Sequence, residues 1–192
     1  MPDPNPQALD FLLTRRSRPA KTLTAPVPLR EELLPLLTAA LRVPDHGKLE
    51  PWRLIVLEKP ALARLAALVP ARAEALGIDE GKRDKAVAQF RDAELAVAVI
   101  SAPKQSDKVP RIEQVQSAAC VCLSLLNAAL AAGWGANWLT GWPSHDPEFC
   151  REGLGLAEGE SVAGLIHIGT ETVAAPERPR PDVMALTEWR SA

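Results

Sequence analysis

Asp45 and His46 stand side by side in Arg42-Val43-Pro44-Asp45-His46-Gly47, and His145-Asp146 repeats the adjacency far downstream. Imidazole and carboxylate are donors that zinc accepts, so a metal hydrolase is the first chemistry to weigh. The spacing argues against it. No H-x-x-x-H or H-E-x-x-H pattern is present, and Asp-His neighbours in loops arise by chance, so no metal ligand set is expected. His167 lies in an apolar run and reads as a core or cross-strand histidine. Nucleophilic hydrolysis lacks its G-x-S-x-G elbow. The dinucleotide signature G-x-G-x-x-G is also missing, because Gly133 and Gly135 follow a helix-like stretch and not a strand.

What remains suits anions and flat ligands. Arg15, Arg16 and Ser17 crowd the end of a short helix, Arg42 and His46 flank a loop, and Trp134, Trp138 and Trp142 alternate with Gly133, Gly135 and Gly141. Arginine forks match phosphate oxygens. Two plainer readings stand beside these. The arginines would complement helix C-terminal dipoles, and the indoles would be core, with Gly133 closing a helix and Gly135 making a turn.

The elements that must position these residues follow from periodicity and punctuation. Asn5 and Pro6 read as a cap and first-turn proline of a helix whose Leu9, Leu12 and Leu13 share a face and which ends near Ser17. A second helix, about 29–42, buries Leu33, Leu34, Leu37 and Leu41 and stops at Pro44 and Gly47. Leu54–Leu57 is a strand, as is Leu95–Ile100. A helix from Pro60 is kinked or ended by Pro70, and residues 81–92 form another. From Gln114 to His145 there is no charged residue. A membrane span is rejected there because Gln116, Ser117, Ser124 and Asn127 dilute the run and Gly133 ends it. An apolar helix of this kind is buried all round, and in so small a chain a second copy is a natural cover. A short helix over 146–152, a buried strand over 161–170 and an extended tail at Pro176–Pro181 lying over a neighbour complete the pass.

Composition bounds the partners. The 192 residues carry 22 Lys and Arg against 24 Asp and Glu, interspersed, for a net charge of −2. That length supports one domain over 1–192, and that charge offers no basic face for nucleic acid or an anionic membrane. Met1–Pro6 lacks the charged and apolar regions of a secretory leader, which points to the cytoplasm. Cys120, Cys122 and Cys150 are odd in number. Cys120 and Cys122, roughly 200° apart on a helix, read as small core fillers and not as a disulfide or zinc framework.

Four segments, in order, resemble the nitroreductase family of flavin mononucleotide (FMN) enzymes, especially its small branch. Arg15-Arg16-Ser17-Arg18 is similar to that family's R-R-S-x-R, and Arg42–Gly47 leading to Pro51-Trp52-Arg53 is similar to its R-x-P-D-H-G…P-W-R. Lys108-Val109-Pro110-Arg111 precedes the long helix, and Trp138-Leu139-Thr140-Gly141 follows it. The resemblance implies an α+β fold with a mostly antiparallel central sheet flanked by helices, in an intertwined homodimer holding FMN at the subunit interface. By position it implies that Arg15, Arg16 and Ser17 hold the flavin from one subunit. Arg42 and His46 reach it from the other, and Trp138, Leu139 and Thr140 line it.

The activity implied is hydride transfer from NAD(P)H through flavin N5 to nitroaromatic, quinone or similar acceptors by a ping-pong mechanism. The cofactor carries that chemistry, so no catalytic acid or base is required. Three positions depart from the pattern. Leu139 replaces a common arginine, Glu50 replaces a glutamine, and Thr170 is followed by Glu171 where larger relatives place a basic residue for the phosphate. The competing reading is a module that binds or stores FMN without turnover.

Overall fold

The computed structural model describes residues 3–191; Met1 and Pro2 of the stretch read for a leader lie outside it. The chain order begins with α1 (Pro6–Thr14), β1 (Leu23–Thr24), α2 (Arg30–Ala40), β2 (Trp52–Glu58), α3 (Lys59–Ala75) and α4 (Glu80–Arg91). It continues with β3 (Leu95–Ser101), α5 (Arg111–Ala131), β4 (Gly135–Leu139), α6 (Pro147–Leu154) and β5 (Ser161–Glu171). Every strand pair is antiparallel. β5 is the hub, pairing β3, β4 and β1, while β2 joins through β3. The expected α+β architecture is therefore present.

The sheet separates two cores. All seven residues of β3 are buried, and they alternate between the two sides. Ala96, Ala98, Ile100 and Leu165 face Leu62, Leu65, Phe90 and Phe149 of α3, α4 and α6. Val97, Val99, Ile166 and Ile168 face Leu33, Leu36, Val121 and Leu125 of α2 and α5. Burying both sides explains the unbroken apolar run of β3. The long helix thus packs on the sheet through Val121, Cys122, Leu125, Leu126 and Ala129, as a core helix does.

Several expectations change. α3 runs through Pro70 to Ala75, with Leu62, Leu65 and Val69 buried before the proline and Ala73 buried after it. α2 buries Leu33, Leu36 and Ala40, whereas Leu34 and Leu41 face solvent. That helix carries leucine all round, so its buried face is chosen by α5, not by its own pattern. α1 is capped by Asn5 as expected but ends at Thr14, three residues early. Gly135 begins a strand instead of a turn. α5 is not buried all round in one chain, since Ile112 and Leu123 stay exposed, and Cys120 is exposed while Cys122 is buried.

Candidate functional site: an arginine-lined groove on the α5 side of the sheet

Because α1 stops at Thr14, Arg15–Arg18 leaves as an extended segment and lies against β4. The Arg18 backbone N–H donates to Ala136 O at 2.8 Å, and Asn137 Nδ2 donates to Arg18 O at 2.7 Å. Arg15 and Ser17 are thereby set beside Trp138 and Thr140. With Ala163 of β5 and Leu123 and Leu126 of α5 they line an open groove of about 640 Å³. Small-molecule sites are commonly of this size.

Two local features shape the wall. Val99 pairs with Gly164 but Ile100 pairs with Val162, so Ala163 is the extra residue of a β-bulge at the groove. Next to it, a Cβ added to Gly164 would sit 2.7 Å from Trp138 Cδ1, so the absence of a side chain lets the indole lie on the sheet. Alternation along β4 puts Trp138 on the α5 side and Leu139 on the other, where its side chain lines a separate cavity with His167. Leu139, expected to line the flavin, therefore lines no part of this groove.

The groove is short of negative charge. Arg15 donates to Ser17 Oγ at 3.0 Å and has no carboxylate partner among the described residues. Its pKa is held below the ordinary arginine value by burial first, then by Arg180, Arg16 and Arg18. The buried Nε atoms of both Arg15 and Arg16 lack any acceptor. Arg16 lies 3.8 Å from Glu177, a carboxylate already bound by Arg180 at 3.0 Å, and Arg18 pairs with Glu171 at 3.0 Å. Clustered guanidinium groups with unused donors fit a phosphate such as that of FMN, and Trp138 provides a flat wall for a ring system. Sequence reasoning missed Arg180 in the tail, whose charge lies close enough to Arg15 to help lower its pKa. It also missed the groove walls Leu123, Leu126 and Ala163, which carry no chemical signature.

Arg42 and His46 stand elsewhere. His46 Nδ1 is 2.7 Å from Glu113 Oε2, near the start of α5, about 15 Å along the helix axis from Leu123. Arg42 and His46 are exposed and line no part of the groove within one chain. Their loop is firmly built. The Asp45 carboxylate accepts from the Leu49 and Glu50 N–H groups at 3.1 and 2.8 Å, across a turn in which Gly47, Lys48 and Glu50 have φ of 75°, 53° and 48°. Trp52 Nε1 donates to Ser117 Oγ at 3.0 Å, and Ser117 donates to Pro44 O at 2.7 Å. Arg53 forks onto Glu160 with both bonds at 2.7 Å.

The residues considered for zinc are employed differently. Asp146 receives Arg72 at 2.7 and 3.0 Å and caps α6 through Phe149 N, which, with Arg72 as the leading cause, holds its carboxyl below the usual range. Among the described residues no three His, Cys, Asp or Glu side chains converge as a metal cluster. Burial pushes the Cys122 thiol up to about 12 and the Cys150 thiol to about 11, as expected of inert core thiols.

An antiparallel sheet between two helical layers, with an arginine-lined groove on one side, is the α+β fold seen in solved nitroreductase-like structures. A 21% identical nitroreductase-like family protein from Bacillus cereus superposes with a TM-score of 0.80, covering all of both chains. An FMN-dependent nitroreductase from Clostridium difficile, 20% identical, superposes with a TM-score of 0.68 over 96% of this chain and 99% of its own. The nitroreductase family model matches residues 12–170. The Escherichia coli (strain K12) protein named "Putative NAD(P)H nitroreductase YdjA" is 37% identical over 169 residues, 88% of this chain and 90% of that one. The chain belongs to the nitroreductase family.

Proposed function

We propose that this chain forms a single FMN-binding domain, works as a homodimer and is an NAD(P)H-dependent oxidoreductase. The observation that carries the reading is the unused guanidinium donor of Arg15 in the same groove as the flat wall of Trp138, with the unpartnered Nε of Arg16 next to it in sequence. Bound in the groove, FMN supplies hydride chemistry at N5 between NAD(P)H and a nitroaromatic, quinone or similar acceptor, in a ping-pong cycle. The protein's own tasks are binding, orientation and shielding. Arg15 and Arg16 hold the phosphate, Ser17 fixes the Arg15 fork, and Trp138 and Thr140 seat the ring edge. Leu123 and Leu126 keep water from the α5 side. The names of the relatives support NAD(P)H as donor. Leu139, turned to the other side of the sheet, removes one reason to favour a storage module.

The homodimer is supported by apolar surface that one chain leaves uncovered. α1 buries no residue, with Leu9, Leu12 and Leu13 all exposed, and Ile112, Gln116, Cys120 and Leu123 form an exposed stripe at helical spacing on α5. Asn127, on the same helix, has a buried Oδ1 without a partner. A second copy seated there brings its own Arg42 and His46 toward the groove.

The test is an absorbance spectrum of the purified protein with FMN, before and after NADPH and then an acceptor. A yellow dimer that bleaches and recolours is expected. A protein that ignores added FMN overturns the cofactor assignment. One that binds FMN but does not speed its reduction over free flavin overturns the activity in favour of storage.

A further inference from the structure

The segment that carries the arginines is shadowed by a second one. Arg18 pairs with Glu171 at 3.0 Å, Arg16 lies 3.8 Å from Glu177, and Arg180 is near enough to Arg15 to help lower its pKa, after burial as the leading cause. Residues 18, 16 and 15 are thus matched in reverse order with 171, 177 and 180, so the chain leaving β5 runs back along the arginines. It is attached lightly. Thr172 N donates to Thr22 O at 3.0 Å, and beyond it no backbone–backbone hydrogen bond holds residues 173–182 among the described residues. Pro176, Pro179 and Pro181 have no N–H to offer and favour a stiff, extended stretch. What keeps such a piece over the arginines is charge.

Glu177 supplies that charge. Among the described residues it is the one carboxylate within 4 Å of Arg16. A separation of 3.8 Å is too long for a hydrogen bond, and the Glu177 side chain is exposed, so the contact is weak. Its Oε1 accepts instead from its own stretch, from Arg178 N at 3.1 Å and Arg180 Nε at 3.0 Å. A phosphate monoester carries about −1.5 to −2 charges and bonds guanidinium N–H groups at about 2.7–2.9 Å, so it outcompetes a loose carboxylate. We propose that residues 173–182 form an electrostatic strap that regulates the arginine groove: Glu177 stands in as the anion of Arg16 in the flavin-free protein, and a phosphate group takes its place and releases the strap. Resting on the FMN reading above for its natural ligand, the strap makes the chain compete with the phosphate of its own cofactor. Riboflavin, which has the same rings and no phosphate, does not engage it.

The test titrates the flavin-free full chain with FMN and, separately, with riboflavin, followed by flavin absorbance, in the parent, Glu177→Gln and Glu188→Gln. Glu188 is a carboxylate of the same tail that pairs with Arg190, so its variant controls for net charge. Glu177→Gln is expected to bind FMN at least threefold more tightly than the parent and riboflavin equally well, while Glu188→Gln matches the parent with both. Inorganic phosphate reads the strap without a flavin. It should protect Glu177→Gln against heat at concentrations at least threefold lower than it needs for the parent. Where parent and variant both bind FMN, equal affinities overturn the strap, as does an equal gain for riboflavin or for Glu188→Gln. Where neither binds FMN, the flavin reading falls and phosphate decides the strap alone: equal protection of the two proteins overturns it, and the threefold difference upholds it.

Discussion

Two segments that each carry arginines look alike on paper but are built in opposite ways. In the Arg42–Arg53 segment and its contacts, the polar groups at the core of the turn are used up. Asp45 closes the turn, Ser117 relays Trp52 to Pro44, and Arg53 is forked onto Glu160. In Arg15–Arg18, buried guanidinium nitrogens have no acceptor, and like charges depress the Arg15 pKa after burial. Satisfied polar networks specify structure, whereas a buried donor without a partner calls for one, whether water, ion or ligand. The motif around Asp45 is thus a self-satisfied turn that carries Arg42 and His46 on its surface, and the groove beside Arg15 is where donors are left over for the proposed flavin.

The comparison can be broken hardest at the wall both strands share. Gly164→Val puts a side chain where Trp138 lies, so the indole must leave. The expected result is a loss of about 1–3 kcal/mol in denaturant unfolding, typical of overpacking, together with loss of FMN binding by absorbance titration. Ser117→Ala attacks the scaffold alone. It strands the Trp52 N–H and the Pro44 carbonyl, so about 1–3 kcal/mol of stability should go while FMN affinity in the Arg15 groove changes far less. If flavin affinity fell in proportion to stability, the two regions would not be separable.

Arg15→Ala should do the reverse. FMN affinity is expected to fall about tenfold or more, roughly 1.4 kcal/mol, while the flavin-free protein is as stable as the parent or more so, since a half-buried cation is removed from the field of Arg180, Arg16 and Arg18. A parallel drop in flavin-free stability would count against a binding role.

How much of this was readable in the sequence follows from the same contrast. Asn5-Pro6 marked α1, the Leu95–Ile100 run marked β3 and Gly133 marked the end of α5, because these signals act within a few residues. Pro70 misled because α3 continues through it with buried residues on both sides, and Leu34 and Leu41 misled because a partner helix chose the face. Gly135 read as a turn because its cause lies across the sheet. It pairs with Gly169, where an added Cβ would meet Thr24 O at 2.9 Å. The motif residues Arg15, Ser17, Trp138 and Thr140 were found together, but the side of the sheet that Leu139 faces, and the closeness of Arg180 to Arg15, depend on contacts no local pattern encodes.

Acid gives a smaller, signed test of the scaffold. The hydrogen bonds from Arg53, its leading cause, hold Glu160 below its ordinary 4.5. The stability this pair contributes is full above that value and is lost as pH falls through the lowered folded value. Urea midpoints measured from pH 6 downward should show Glu160→Gln starting lower and falling less steeply than the parent. Parallel curves would mean that the pair does not titrate with folding.

The smallest stability effect belongs to His46, and it is the most informative about the proposed homodimer. His46 and Glu113 are an exposed pair, their side chains 60% and 43% accessible, so His46→Ala should shift the unfolding midpoint by little, in keeping with about 0–1 kcal/mol for such pairs. Within one chain His46 also lies well away from the Arg15 groove. A purely local role therefore leaves FMN affinity untouched, whereas a role across the dimer boundary weakens it. Mixing His46→Ala with Arg15→Ala protein separates the cases. With His46 acting in trans, one groove of the mixed dimer would lose both residues and the other would regain both. Half of the flavin sites in that dimer should then recover parental affinity if His46 acts in trans, and none if each residue acts only within its own chain.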